Sequence, residues 1–156
     1  MILSGEFTVA APRDAVFASL RDANFFASCF EGVSALTEIG ENRHEALFET
    51  KVAYLKFKFK VIVELVRIEP PGEIEARIEG APLGIVGRLT TTSITRLAAA
   101  GNQTRLSYTL DATLTGRLGS IGQSVLKSKA REMEKQFAER LSAAFASGAM
   151  VPQAAS

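Results

Sequence analysis

The chain has 156 residues, of which 47% are hydrophobic, and its 18 Lys and Arg against 17 Asp and Glu leave a net charge of +1. That length suits one globular domain with a proper core, the charge balance removes the electrostatic case for nucleic-acid binding, and the hydrophobic content excludes a disordered chain. A single Cys29 excludes an intramolecular disulfide framework, and a single His44 leaves too few soft ligands for a zinc site, so a reduced, cytoplasmic setting is expected.

The first residues, MILSGEFTVAAP, hold no positively charged leader and read as a strand over Ile2 to Ala10, closed by Pro12. A proline suits the first turn of a helix, and Val16, Phe17 and Leu20 continue from it as a short amphipathic helix. Asp22 to Ala27 suggest a second short helix ending near Gly32. Val33 to Ile39 and His44 to Tyr54 flank the turn signal Gly40-Glu41-Asn42, as in a hairpin.

The clearest period-two pattern follows. Phe57, Phe59, Val61, Val63 and Leu65 alternate with Lys56, Lys58, Lys60, Ile62 and Glu64, which gives one apolar face and one mostly wet. After Pro70-Pro71-Gly72, Ile74, Ala76 and Ile78 alternate with charged residues as another half-buried strand. Gly80, Pro82, Gly84 and Gly87 punctuate the next segment before a Thr-rich run from Leu89 to Leu97. Gly101-Asn102 then turns the chain into a last strand carrying Leu106, Tyr108, Leu110, Ala112 and Leu114 on one face. Short connections of this kind favour an antiparallel meander.

The final strand passes through Gly116, Gly119 and Gly122 into one long helix. From Ile121 the residues Val125, Leu126, Ala130, Met133, Phe137, Leu141 and Phe145 recur at spacings of three to five, so they share a face. The opposite face carries Lys127, Lys129, Arg131, Glu132, Glu134, Lys135, Glu139 and Arg140. A helix of about 25 residues is roughly 38 Å long, so its stripe needs a comparably long sheet to cover it. A long helix lying across a curved sheet tends to enclose a hollow. The domain is expected to span residues 1–146, with 147–156 as a short flexible tail.

The order of strand, two small helices, meander and long C-terminal helix is that of the helix-grip, START-like (SRPBCC) fold, an α+β fold with a curved sheet of about seven strands. Within it the chain resembles the carbon monoxide dehydrogenase CoxG family. The resemblance rests on Gly5, Phe7 to Pro12, Val16 and Phe17, on Ser28-Cys29-Phe30-Glu31-Gly32-Val33, and on Thr115 to Gln123 followed by Ala130, Met133, Gln136 and Phe137. Glu31 departs from the family's pattern, where a proline often precedes the glycine.

The resemblance implies a non-catalytic protein that helps attach or activate a molybdenum hydroxylase of the carbon monoxide dehydrogenase type at the inner face of the membrane. Its cavity would carry a hydrophobic small molecule, a quinone or another lipid, with no covalent cofactor. In a helix-grip arrangement Phe25, Phe26 and Phe30 would stand near the cavity mouth, opposite Phe57 and Phe59 of the sheet and Met133 and Phe137 of the helix. Thr91, Ser93 and Tyr108 would offer hydrogen bonds to a ligand carbonyl if they point inward. Many relatives carry a membrane tail. Here residues 147–156, interrupted by Gly148 and Pro152, fall short of the ~20 apolar residues a span requires, so peripheral contact is the expectation.

Other features have weaker claims. Cys29 and His44 lie far apart in sequence with no framing motif, so a buried structural thiol and an exposed, non-catalytic imidazole are expected, with no catalytic or metal site. Gly116, Gly119 and Gly122 could cradle a phosphate at the helix start, supply a sharp turn with close packing, or act as a hinge that lets the helix lift. Lys56, Lys58 and Lys60 and the basic helix could meet anionic headgroups, at about 1 kcal/mol for each residue near the surface, or simply be solvated. A polyketide-cyclase-like enzyme and a cavity-free interaction module remain the alternatives. Neither the ligand, the enzyme partner nor the oligomeric state is fixed by the sequence.

Overall fold

The computed structural model describes residues 1–146. The tail expected at 147–156 lies outside the described residues. The order of elements is β1 (Ile2–Val9), α1 (Arg13–Arg21), α2 (Ala23–Ser28), β2 (Val33–Gly40), β3 (Arg43–Val52), β4 (Leu55–Glu69), β5 (Glu73–Pro82), β6 (Gly87–Ala100), β7 (Gln103–Gly116), a 3₁₀ turn (Arg117–Ser120) and α3 (Gln123–Ala146).

Seven strands make one antiparallel sheet in the order β1-β7-β6-β5-β4-β3-β2. The chain lays down β2 to β7 as a meander, and β7 pairs back onto β1, which becomes the edge. Pro12 ends β1 and stands at the N-cap of α1, whose Ala15, Val16 and Phe17 are buried. Asp22 separates the two small helices and caps the second by accepting a hydrogen bond from the Phe25 N–H.

Several boundaries differ from the sequence reading: β3 ends at Val52 rather than Tyr54, which falls in the turn, and β6 runs from Gly87 to Ala100 rather than from Leu89 to Leu97. Gly80 and Pro82, taken as punctuation, are the last buried residues of β5, because Gly80 pairs with both Val61 and Leu89 inside the sheet. The long helix begins at Gln123 rather than Ile121, because the 3₁₀ turn intervenes and buries Leu118. Of the three glycines there, only Gly116 is locked by geometry. Its φ is +62°, and a Cβ would stand 2.6 Å from the Val86 carbonyl and 2.7 Å from the Gly87 Cα, whereas one on Gly122 would meet nothing within 4 Å.

Helix α3 crosses the mouth of the curled sheet. Its closest backbone approaches to the sheet are to β1 and β3, strands on opposite sides of the curl. Gln136 and Arg140 fasten the α2–β2 turn to it. The Gln136 Oε1 accepts from the Glu31 N–H at 2.9 Å, and Arg140 donates to the Ser28 carbonyl and the Glu31 carboxylate, both at 3.1 Å. This clamp joins Gln136 and Arg140 of α3 to the Ser28 to Gly32 segment, with Glu31 as the acidic partner of Arg140.

Candidate ligand-binding site

Register settles which side chains face the helix. In an antiparallel ladder directly paired residues share a face. Phe59 pairs with Pro82, Val63 with Ile78, Ile78 with Thr91, and Thr91 with Ala112, while Ser93 pairs with Leu110 and Leu110 with Leu3. Thr95 pairs with Tyr108, and Tyr108 with Gly5. The concave face therefore carries Phe57, Phe59, Thr91, Ser93 and Tyr108, all on the side expected of them.

Apolar side chains on that face collect in two separate clusters. One, under α1 and α2, joins Val9, Val16, Phe17, Cys29, Leu106 and Leu141, with Phe25, Phe30 and Tyr108 packed against it. The other, beside the 3₁₀ turn, joins Val52, Phe57 and Leu118, with Phe59 and Val125 packed against it. Between them lies a band of small side chains, Gly5, Ala46, Ala76, Thr91, Ser93 and Ala112. The larger residues of the same band, Val61, Val63, Ile78 and Leu110 from the sheet and Met133 from α3, point inward yet stay half-buried. Side chains facing a filled core are close-packed and shut off from solvent. These are less completely covered than the two clusters, although Ala76, Thr91 and Ala112 beside them are buried.

The aromatic residues singled out from the sequence divide between the clusters. Phe30 stacks on Phe137 with centroids 5.4 Å apart, Phe26 meets both rings at 5.4 and 5.5 Å, and Phe7 closes edge-on to Phe137 at 5.9 Å. Phe25 packs against the same cluster. Phe57 and Phe59 stack at 5.8 Å at the other end, joined by Phe48 at 6.4 Å, a residue the sequence reading did not select. The two aromatic groups wall opposite ends of the band, and Met133 lies between them along α3.

One polar feature in the interior escaped the sequence reading. The Tyr108 hydroxyl donates a hydrogen bond to the Glu134 Oε1, and Arg131 lies 3.6 Å from the same carboxylate while donating to the Ser4 carbonyl at 3.1 Å. Burial, with the Glu134 carboxylate adding to it, raises the Tyr108 pKa well above its ordinary value. Gly5 makes the pair possible, since a Cβ there would collide with the Glu134 Oε1 and stand 2.6 Å from the Tyr108 hydroxyl. By periodicity Glu134 belonged to the wet face of the helix. It is half-buried because that flank of α3 rests on β1.

A cleft of about 460 Å³ separates the β3–β4 turn, at Lys51, Val52 and Ala53, from the first turns of α3 at Ser124, Val125 and Ser128. It lies beside the second cluster, to which Val52 and Val125 belong. Cys29 is buried in the first cluster, and burial raises its thiol pKa despite the nearby Arg140. His44 is half-buried rather than exposed, since its pairing with Val63 turns it toward the concave face. Lys56 and Lys60 sit on the convex face with carboxylate partners, Glu49 at 3.3 Å and Glu45 at 3.0 Å. Among the described residues no cluster of three metal-binding side chains occurs, and no helix is long and apolar enough to cross a membrane.

A curved seven-stranded sheet gripping one long helix over a half-buried apolar band defines a START-like protein. Solved structures carry the same fold. A conserved protein from Geobacillus kaustophilus superposes with a TM-score of 0.87 at 24% identity, over 94% of this chain and 96% of that one. A START superfamily protein from Mycobacterium smegmatis gives 0.70 at 13% identity over 91% and 94%, and Ara h 8.0201 gives 0.70 at 12% over 94% and 98%. No curated protein matches the sequence. The family model for the carbon monoxide dehydrogenase CoxG subunit matches residues 5–146, and the chain belongs to that family.

Proposed function

We propose that this protein is a non-catalytic carrier of an apolar molecule, a quinone or another lipid, that assists a molybdenum hydroxylase of the carbon monoxide dehydrogenase type. Its part is to recruit that enzyme to the membrane or to deliver its electron acceptor. The observation that carries the reading is the band of inward-facing Val, Ile, Leu and Met between the two clusters, an apolar lining that the fold leaves only half-buried. Thr91 and Ser93 are polar groups on that face able to orient a carbonyl or hydroxyl of the ligand, while the Tyr108 oxygen, its proton given to Glu134, can only accept from a ligand hydroxyl. Membership of the CoxG family supports carbon monoxide dehydrogenase as the enzyme partner.

A cyclase-like activity would draw on Tyr108 and Glu134. Their geometry favours anchoring instead: the Tyr108 hydroxyl is already committed to Glu134, and its raised pKa makes it a poor proton donor near neutral pH. Glu134 is in turn held by Arg131.

The test is extraction of the purified protein with organic solvent and mass spectrometry of the extract, beside a mock purification. A stoichiometric quinone or other lipid is expected. If the extract is empty and no added quinone or lipid raises the melting temperature, the carrier reading fails and an interaction module takes its place. A ligand at 100 times its Kd should stabilise the fold by about 2.7 kcal/mol.

A further inference from the structure

In an antiparallel meander successive turns alternate between the two ends of the sheet. The β3–β4 turn and the β5–β6 loop therefore lie at one end, where the Leu83 N–H donates to the Lys58 carbonyl and the Arg117 N–H to the Val86 carbonyl. This is the end at which the cleft beside α3 opens. It is also where exposed apolar side chains concentrate: Tyr54 is 97% exposed, Val86 81%, Leu55 62% and Leu83 53%, with Ile85 beside them. The surface of a soluble domain seldom gathers large apolar tips on adjacent turns without a use for them.

The charge around those tips is one-sided. Residues 51–58, 83–90 and 115–129, which build this end, contain seven Lys and Arg and no Asp or Glu. Lys56, Arg88 and Lys129 reach carboxylates on neighbouring segments, at Glu49, Glu79 and Glu132, while Lys51, Lys58, Arg117 and Lys127 are exposed. At the opposite end the β2–β3 and β4–β5 turns carry Glu41, Glu69 and Glu73, and Arg67 and Arg96 are held there by Glu69 and Glu73.

We infer that this end is a docking surface for an anionic lipid bilayer, with Tyr54, Leu55, Leu83, Ile85 and Val86 entering the headgroup region and the basic residues meeting lipid phosphates. Apolar tips ringed by cations match the interface of such a membrane in both its layers, an apolar interior under a negative surface. Docked this way, the cleft between the β3–β4 turn and α3 faces the lipid. The surface stands on its own geometry, and its purpose rests on the carrier reading.

The chain contains no tryptophan, so Tyr54→Trp supplies a single reporter. With vesicles of phosphatidylcholine and phosphatidylglycerol in equal parts, its emission should shift to the blue and be quenched by acyl-chain bromolipids. With phosphatidylcholine alone it should not move. Ile39→Trp, exposed on the far edge strand, should stay unshifted with both.

In sedimentation with the same vesicles, Lys51→Gln/Lys58→Gln should weaken binding about 30-fold, from about 1 kcal/mol for each charge, and high salt should act in the same direction. Tyr54→Ser/Val86→Ser should weaken it about tenfold through lost apolar burial. All four side chains are exposed, so these variants should fold. Absence of binding to anionic vesicles at low salt, or binding untouched by both double variants, overturns the inference. A protein that docks but neither yields lipid on extraction nor is stabilised by added quinone or lipid keeps this surface and loses the carrier reading, and one that copurifies with lipid but never sediments does the reverse.

Discussion

The two ends of the sheet solve the problem of burying α3 differently. Under α1 and α2 the helix is packed shut: Leu141 is 0% exposed, Phe137 touches three other aromatic rings, and Gln136 and Arg140 clamp the adjoining turn. Beside the 3₁₀ turn the first half of α3 has only half-buried apolar residues, its cluster has three fully buried members, and apolar loops reach into solvent. One end packs the helix shut, and the other leaves it less completely buried.

The contrast can be broken most directly by cutting each end. Leu141→Ala should cost about 3 kcal/mol in a urea melt, because it empties a fully enclosed site. Val125→Ala, in the half-open cluster, should cost about 1 kcal/mol or less. Equal losses would mean that the two halves of α3 are equally packed.

The glycines of the strand-to-helix connection sharpen the same comparison. Gly116→Ala should destabilise by about 2 kcal/mol, since the new Cβ is forced against the Val86 carbonyl in a left-handed backbone. It therefore cannot report on hinging alone. Gly122→Ala has open space around it and should be neutral or stabilising by about 0.5 kcal/mol, so slower ligand exchange in that variant would mark a hinge. Unchanged exchange in Gly122→Ala would leave these glycines with the sharp turn alone.

Tyr108→Phe should lower stability by about 1 kcal/mol, since it leaves the half-buried Glu134 carboxylate without its hydroxyl donor. The pH dependence has a definite sign. A tyrosine pKa raised in the folded state means that the native protein holds its proton after the unfolded chain has lost it, so the stabilisation is complete below the ordinary value of 10.0 and disappears above it. Wild type should accordingly lose stability more steeply than Tyr108→Phe in alkaline urea melts. With Tyr54→Phe as background, Tyr108 is the one tyrosine left and its phenolate absorbance can be titrated directly.

The smallest effect concerns Cys29. Buried in the closed end with its thiol pKa raised, it should react with an aromatic disulfide reagent no faster than that end opens, and Cys29→Ser should leave cargo binding unchanged. Rapid labelling of the native protein would show that the closed end is not closed.

Period-two alternation in β4 and β5, the turn dipeptides and the long stripe of α3 were legible because each is a local pattern, and together with the CoxG motif they led to the helix-grip architecture. The aromatic residues were legible as apolar walls, but not their division between two ends, which depends on where α3 crosses the sheet. Thr91, Ser93 and Tyr108 could be placed inward only through strand pairing, because a shift of one residue would have turned them out. Glu134 was read as solvated because its neighbours on the helix are charged, and His44 as exposed because it begins a strand.

The sequence by itself determined the elements, their order and the family, since periodicity, turn chemistry and motif act over a few residues and survive in one dimension. Tertiary structure decided the rest: the gap between the two clusters, the Gly5, Tyr108 and Glu134 contact across β1, β7 and α3, and the gathering of Tyr54, Leu83 and Val86 at one basic end. Each joins residues distant in the chain, and only the curl of the sheet brings them within reach of one another.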